Sequence, residues 1–263
     1  MNRLQSEWRR LYLAHDAPDL DTADASVGLI GPDGGVRALV LELARPADWN
    51  ALAPLWQGVQ LELELPAPAI AVNGHDGYQL WFSLAQAVPA ARARDFLEAL
   101  AQRYLPEVAA TRLALLPEPD ACAVGQYRHA APVPRQQAGD HWSAFLAPDL
   151  APMFSEDPWL DLPPSPDGQA DLLARLASIP PAGFEQALER LGPAVPPPTP
   201  STPPLPASAL AQTASGDTAA TDAGSPPAGH EQDPRRFLLG VMNDARVALE
   251  LRIEAAKALL PYC

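Results

Sequence analysis

Residues able to do chemistry are sparse in this sequence, and the first to weigh is Glu42. It lies in the apolar stretch Ala38-Leu-Val-Leu-Glu-Leu-Ala44. A lone carboxylate on a strand can ligate a divalent ion or move a proton only if a second group converges on it. Otherwise it is a polar residue alternating with Leu41 and Leu43 on a half-buried strand. Gln79 is the next candidate, in Val72-Asn-Gly-His-Asp-Gly-Tyr-Gln-Leu-Trp-Phe-Ser-Leu84. It can hydrogen-bond a ligand but carries no charge. His75 and Asp76 occupy Asn73-Gly-His-Asp-Gly77, whose residue types favour a turn with this pair at its tip. Cys122, His129 and His141 match no structural zinc spacing and read as scattered loop residues. There is no nucleophile-elbow serine, no phosphate-cradling glycine loop and no Rossmann fingerprint.

The elements that must position these residues are legible in part. Leu4, Trp8, Leu11 and Tyr12 have helical spacing. Ser26–Ile30 and Val36–Leu43 read as strands around the turn Gly31-Pro-Asp-Gly-Gly35. A short helix is expected from Arg45-Pro-Ala-Asp-Trp-Asn50, with Pro46 near its first position. Leu61–Leu65 and Ala69–Asn73 look extended, which would put Glu62 and Glu64 on the solvent face of a strand. Tyr78–Leu84 has the aliphatic and aromatic content of a buried strand. After Pro89, Phe96, Leu97, Leu100 and Tyr104 share one helical face. Arg112–Leu116 is a further strand, and Gln169–Ser178 and Phe184–Leu191 are amphipathic helices. The proline-broken segment 117–165 has no assignable element. Its aromatics Trp142, Phe145, Phe154 and Trp159 read as an irregular stretch pinned to the core, with a peptide-binding surface as the alternative. Strands and helices mixed with hairpins make the domain α+β, a mixed sheet with flanking helices.

Composition divides the 263 residues into three stretches. Residues 1–192 carry thirteen basic and twenty-five acidic residues, within a total charge of −14. Residues 193–232 hold ten prolines and almost no large apolar side chain, the composition of a disordered linker. Residues 233–263 read as a helical hairpin, with Asp233 a fitting N-cap and Pro234 a fitting first residue. So acidic a chain repels phosphate, so its net charge does not favour nucleic acid as a partner. Two cysteines supply no disulfide framework, no run of eighteen apolar residues exists, and the first ten residues lack a signal-peptide core. The expectation is a soluble, cytoplasmic protein without a membrane partner.

From Arg37 to Val88 the order of motifs resembles the archaeo-eukaryotic primase–polymerases of plasmid and phage replicase type. It comprises the strand through Glu42, Arg45-Pro-Ala-Asp-Trp49, Leu65-Pro-Ala-Pro68, and the segment from Asn73 through Gln79. The resemblance implies a fold with two metal-holding carboxylates and a nucleotide-contacting histidine. Here Glu42 matches the first carboxylate, Ala44 stands at the second and Gln79 at the histidine. If such a site worked, Glu42 and Gln79 would be its residues and magnesium its cofactor. As the motifs stand, the expectation is no catalytic residue, no bound metal and a decayed primase-like domain.

The tail Phe237-Leu-Leu-Gly-Val-Met-Asn-Asp244 with Leu251-Arg-Ile-Glu-Ala-Ala-Lys-Ala-Leu-Leu-Pro-Tyr262 resembles a segment of phage terminase small subunits. Its apolar residues Phe237, Leu238, Val241, Ile253, Leu259 and Leu260 would bind a protein partner or another copy, or dock in cis. Arg235, Arg236, Arg246, Arg252 and Lys257 would be the nucleic-acid contacts if there are any. Together these features point to a non-catalytic accessory protein of phage or mobile-element type. The alternatives are an active primase–polymerase and an adaptor without a nucleic-acid role.

Overall fold

A computed structural model describes residues 2–13, 29–121 and 126–192. Linker and tail, Cys122 and most of the expected 26–30 strand fall outside the described residues; Ile30 forms a single bridge to Val36. The chain divides into units Met1–Pro196 and Pro197–Cys263, and every described element belongs to the first.

That unit is α+β. An antiparallel sheet has the order β4 (Leu113–Leu116), β1 (Gly35–Ala44), β3 (Gly77–Pro89), β2 (Ala69–Val72), β7 (Ala144–Leu146). An isolated parallel bridge joins Leu84 of β3 to Ile179. A separate ribbon pairs β5 (Glu118–Pro119) with β6 (Tyr127–Arg128). Among the described residues no helix is long and apolar enough to cross a membrane.

Strand periodicity sorts the sheet into two faces. On the first, Leu39, Leu41, Leu43, Ile70, Val72, Tyr78, Leu80 and Phe82 pack with α2 (Trp49–Leu61), α3 (Ala90–Tyr104) and α5 (Pro181–Leu191). On the second, Ala38, Val40, Ala69, Ala71, Trp81 and Phe145 pack with α1 (Arg3–Leu11), Leu173 of α4 (Pro166–Ala174) and the strap carrying Ala130 and Val133. Small strand residues there leave room for an aromatic cluster. Trp8 lies 4.9 Å from Tyr12 and 5.2 Å from Trp81, and Tyr12 stacks on Phe145 at 6.4 Å. β1 is therefore covered on both faces, not half-buried as its alternation suggested.

Helix termini follow local chemistry. Asn2 caps α1 in a reciprocal box with Gln5, at 2.8 and 2.7 Å. The helix expected to begin near Pro46 begins instead at Trp49, where Asp48 accepts from the Ala51 amide at 3.1 Å, and it runs thirteen residues through Pro54. At Gly58 a Cβ would stand 2.4 Å from the Tyr104 ring, so glycine there is what lets α2 and α3 approach. The strand expected over Leu61–Leu65 is absent. Leu61 ends α2, the amides of Glu62 and Leu63 both donate to Gly58 O, and Glu64 adopts φ +56°. Glu62 and Glu64 instead bind Arg103 at 2.7 Å and Arg190 at 2.6 Å.

Candidate functional site

Glu42 lies on the second sheet face, cross-strand from Gln79 of β3 and from Ala114 of β4. Trp81, two residues along β3, fixes the local hydrogen bonding, because an indole can only donate. Trp81 Nε1 donates to Gln79 Oε1 at 2.9 Å, which turns the Gln79 Nε2 outward to donate to Glu42 Oε2 at 2.6 Å. The amide orientation of Gln79 is thus set by its neighbours.

Asn73 closes the network from the β2–β3 turn. Its Oδ1 accepts the backbone N–H groups of His75, Asp76 and Gly77 at 2.9, 2.9 and 3.0 Å. This makes the turn and fixes the side chain. Its Nδ2 then donates to both Glu42 Oε1 and Asp76 Oδ1, each at 3.1 Å. Two carboxylates therefore converge on one amide nitrogen, and each oxygen of Glu42 already holds one N–H donor. Gly77 is obligatory beneath them, since a Cβ there would stand 2.7 Å from Ala44 Cβ and Leu43 O.

His75 points away. Its side chain is 80% exposed and its Nε2 only approaches Asp76 Oδ2, at 4.0 Å. Gln79, by contrast, is buried. Glu42 is part-buried rather than a free polar residue on a strand face, which corrects the alternation reading. The magnesium pair implied by the primase resemblance fits these residues poorly: the cross-strand neighbours of Glu42 are an amide and a methyl group, and position 44 is a buried alanine.

His129 and His141 do not meet. His129 accepts the Ala130 amide at Nδ1, 2.8 Å, and its Nε2 lies 3.0 Å from Ala38 O, while His141 stacks on Trp159. Among the described residues no three His, Cys, Asp or Glu side chains gather as metal ligands would. Sequence reasoning missed Asn73 as the centre of the network and Asp76 as the second carboxylate. The available signal was the Asn-x-x-Asp-Gly order, which favours an Asn side chain folded onto its own turn. The tail residues from Arg235 to Leu260 lie outside the described residues.

No protein-family model matches the chain, and no curated protein is found to resemble it.

Proposed function

We propose that the protein is a non-catalytic accessory factor of phage or mobile-element type. In it a primase-like domain has lost its two-metal chemistry, and the tail from Asp233 provides association. The observation that carries this reading is the state of Glu42, held by Gln79 and Asn73 in a closed chain of hydrogen bonds that begins at Trp81. Such a chain satisfies a part-buried polar cluster. Polymerase chemistry instead needs carboxylates free to clamp two ions beside a triphosphate.

One observation favours the rival reading of a working primase–polymerase: Asp76 shares the Asn73 amide with Glu42, so a second carboxylate does stand nearby. Primer synthesis separates the two. The intact chain, with magnesium or manganese, nucleoside triphosphates and single-stranded DNA, is expected to give no product above background. Product that disappears in both Glu42→Ala and Asp76→Ala would establish the rival. The association half has its own readout. Leu238→Asp combined with Ile253→Asp should reduce self-association or partner capture by the intact chain, and an unchanged mass and partner list would sink it.

A further inference from the structure

From Gln136 to Ala174 the sequence contains seven acidic residues and no Lys or Arg. Asp171 is neutralised by Arg3 at 2.7 Å. Asp140, Glu156, Asp157 and Asp161 have no ion pair among the described residues, and all four are exposed. The same stretch holds Leu150, Met153 and Leu162, three of the four large hydrophobic side chains exposed among the described residues. Acidic charge and uncovered apolar side chains thus coincide in one stretch of the chain, a combination typical of recognition rather than of solvation alone.

Its scaffold is well fixed. Trp142 N donates to Leu160 O at 2.8 Å and Leu160 N returns the bond at 3.0 Å. This isolated antiparallel bridge sets His141 and Asp161 next to the paired residues Trp142 and Leu160, with Trp159 just before it. There the His141 and Trp159 rings lie parallel, with centroids 4.4 Å apart and planes 7° from one another. Gly74 N donates to Pro158 O at 3.1 Å, and Tyr78 OH donates to Ala151 O at 2.6 Å, tying the segment to the sheet. Gly74 is confined from the other side, since a Cβ would meet Ser143 N at 2.7 Å.

We infer that this face docks a basic segment of a partner protein, with an arginine stacked on the His141–Trp159 pair and bonded to Asp161. Apolar side chains next to that arginine would cover Leu162. Arginine fits better than lysine because its planar guanidinium can stack on an aromatic face and at the same time present a fork of N–H groups to a carboxylate. The uncompensated acids exclude phosphate-bearing partners and speed encounter with cationic ones. The inference goes beyond the proposed function and does not depend on the state of Glu42.

The test uses the intact chain and fluorescein-labelled hexapeptides of alternating Arg and Leu, Lys and Leu, or Glu and Leu, followed by anisotropy at physiological salt. The Arg peptide should bind saturably and the Glu peptide should not. Asp161→Asn and Trp159→Leu should each weaken the Arg peptide about tenfold, the equivalent of about 1.4 kcal/mol. Circular dichroism should remain unchanged; Asp161→Asn, at an exposed position, keeps the test valid if Trp159→Leu disturbs the ribbon. Equal binding of Lys and Arg peptides, full affinity in Asp161→Asn, or no saturable binding up to millimolar peptide would overturn the inference.

Discussion

The two faces of the sheet are built on different principles. The first is an apolar contact between strands and three helices. The second carries the buried polar side chains Arg37, Gln79 and Ser83, and its β7 edge is flanked by the buried Ser143 and Gln169. Each is spent. Arg37 donates to Leu13 O at 2.9 Å, Arg10 O at 2.8 Å and Leu84 O at 3.0 Å, anchoring the end of α1 to the sheet. Ser83 donates to Leu11 O at 2.7 Å. Gln169 accepts from Phe145 N at 2.7 Å and donates to Phe145 O at 3.0 Å, so an α4 side chain substitutes for a strand at the β7 edge. Apolar packing tolerates rearrangement, whereas a polar network requires all its members, because each unpaired buried group costs about 1–3 kcal/mol. The first face therefore supplies bulk stability, and the second specifies which helices and straps dock where.

The largest effect expected from this contrast lies on the first face. Phe96 is fully buried, with Phe82 at 5.8 Å edge-on and Phe184 at 5.1 Å. Phe96→Ala removes a ring from between β3 and α5 and should cost about 4 kcal/mol in urea unfolding. A loss below about 1 kcal/mol would mean that this face is not the closely packed one.

A smaller effect, dependent on pH, belongs to the second face at the free edge of β1. Pairing with β4 spans Val40–Leu43, and His129 binds the Ala38 carbonyl beyond it. Because Nδ1 accepts the Ala130 amide, Nε2 carries the proton and the ring is neutral. Burial pushes this imidazole down to about 4, opposed only by the Ala38 carbonyl. The residue as a whole is partly covered, but both ring nitrogens are used inside the protein. The unfolded chain takes up the proton near pH 6.5 and the folded chain resists until about 4. The stability due to His129 is therefore complete above pH 6.5 and drains away as pH falls towards 4. Unfolding at pH 7 and pH 4.5 should show the parent losing about 1–2 kcal/mol more than His129→Gln, less than the full shift because part of the residue meets solvent. Identical losses in both chains would remove His129 from the account.

The same contrast explains what could be read in the sequence. The first face was legible because its signals are local: the apolar run over 38–41, aromatic content over 78–84, and the 3.6-residue period of Phe96, Leu97 and Leu100. Leu61–Leu65 misled because its Leu-Glu alternation is what a strand shows. Leu63 and Leu65 do point inward, but through a helix end followed by a left-handed residue at Glu64. The second face was hidden because its partners are distant in the chain. Asn73 and Glu42 are 31 residues apart, and Trp8 Nε1 meets Val133 O across 125 residues. No periodicity reports such pairings. Of the candidate site, Glu42 and Gln79 could be singled out as residues, but not the hydrogen-bond chain that joins them.

The smallest effect sharpens the contrast most, because it measures coupling rather than total cost. Glu42→Leu leaves the Gln79 Nε2 and one Asn73 N–H without acceptors, and Gln79→Leu leaves the Trp81 indole and one Glu42 oxygen without partners. In the double variant the two leucines face each other across β1 and β3, so the mutual loss is counted once. Unfolding free energies of the parent, both single variants and the double should give a coupling of about 1 kcal/mol, with the double less destabilised than the sum of the singles. Additivity would mean that the Glu42–Gln79 bond, despite its 2.6 Å length, contributes nothing specific to the fold. Glu42 would then be a carboxylate held without structural need, and its convergence with Asp76 would have to be explained by chemistry instead. A coupling of the expected sign makes Glu42 a structural acceptor, the role the non-catalytic reading requires of it.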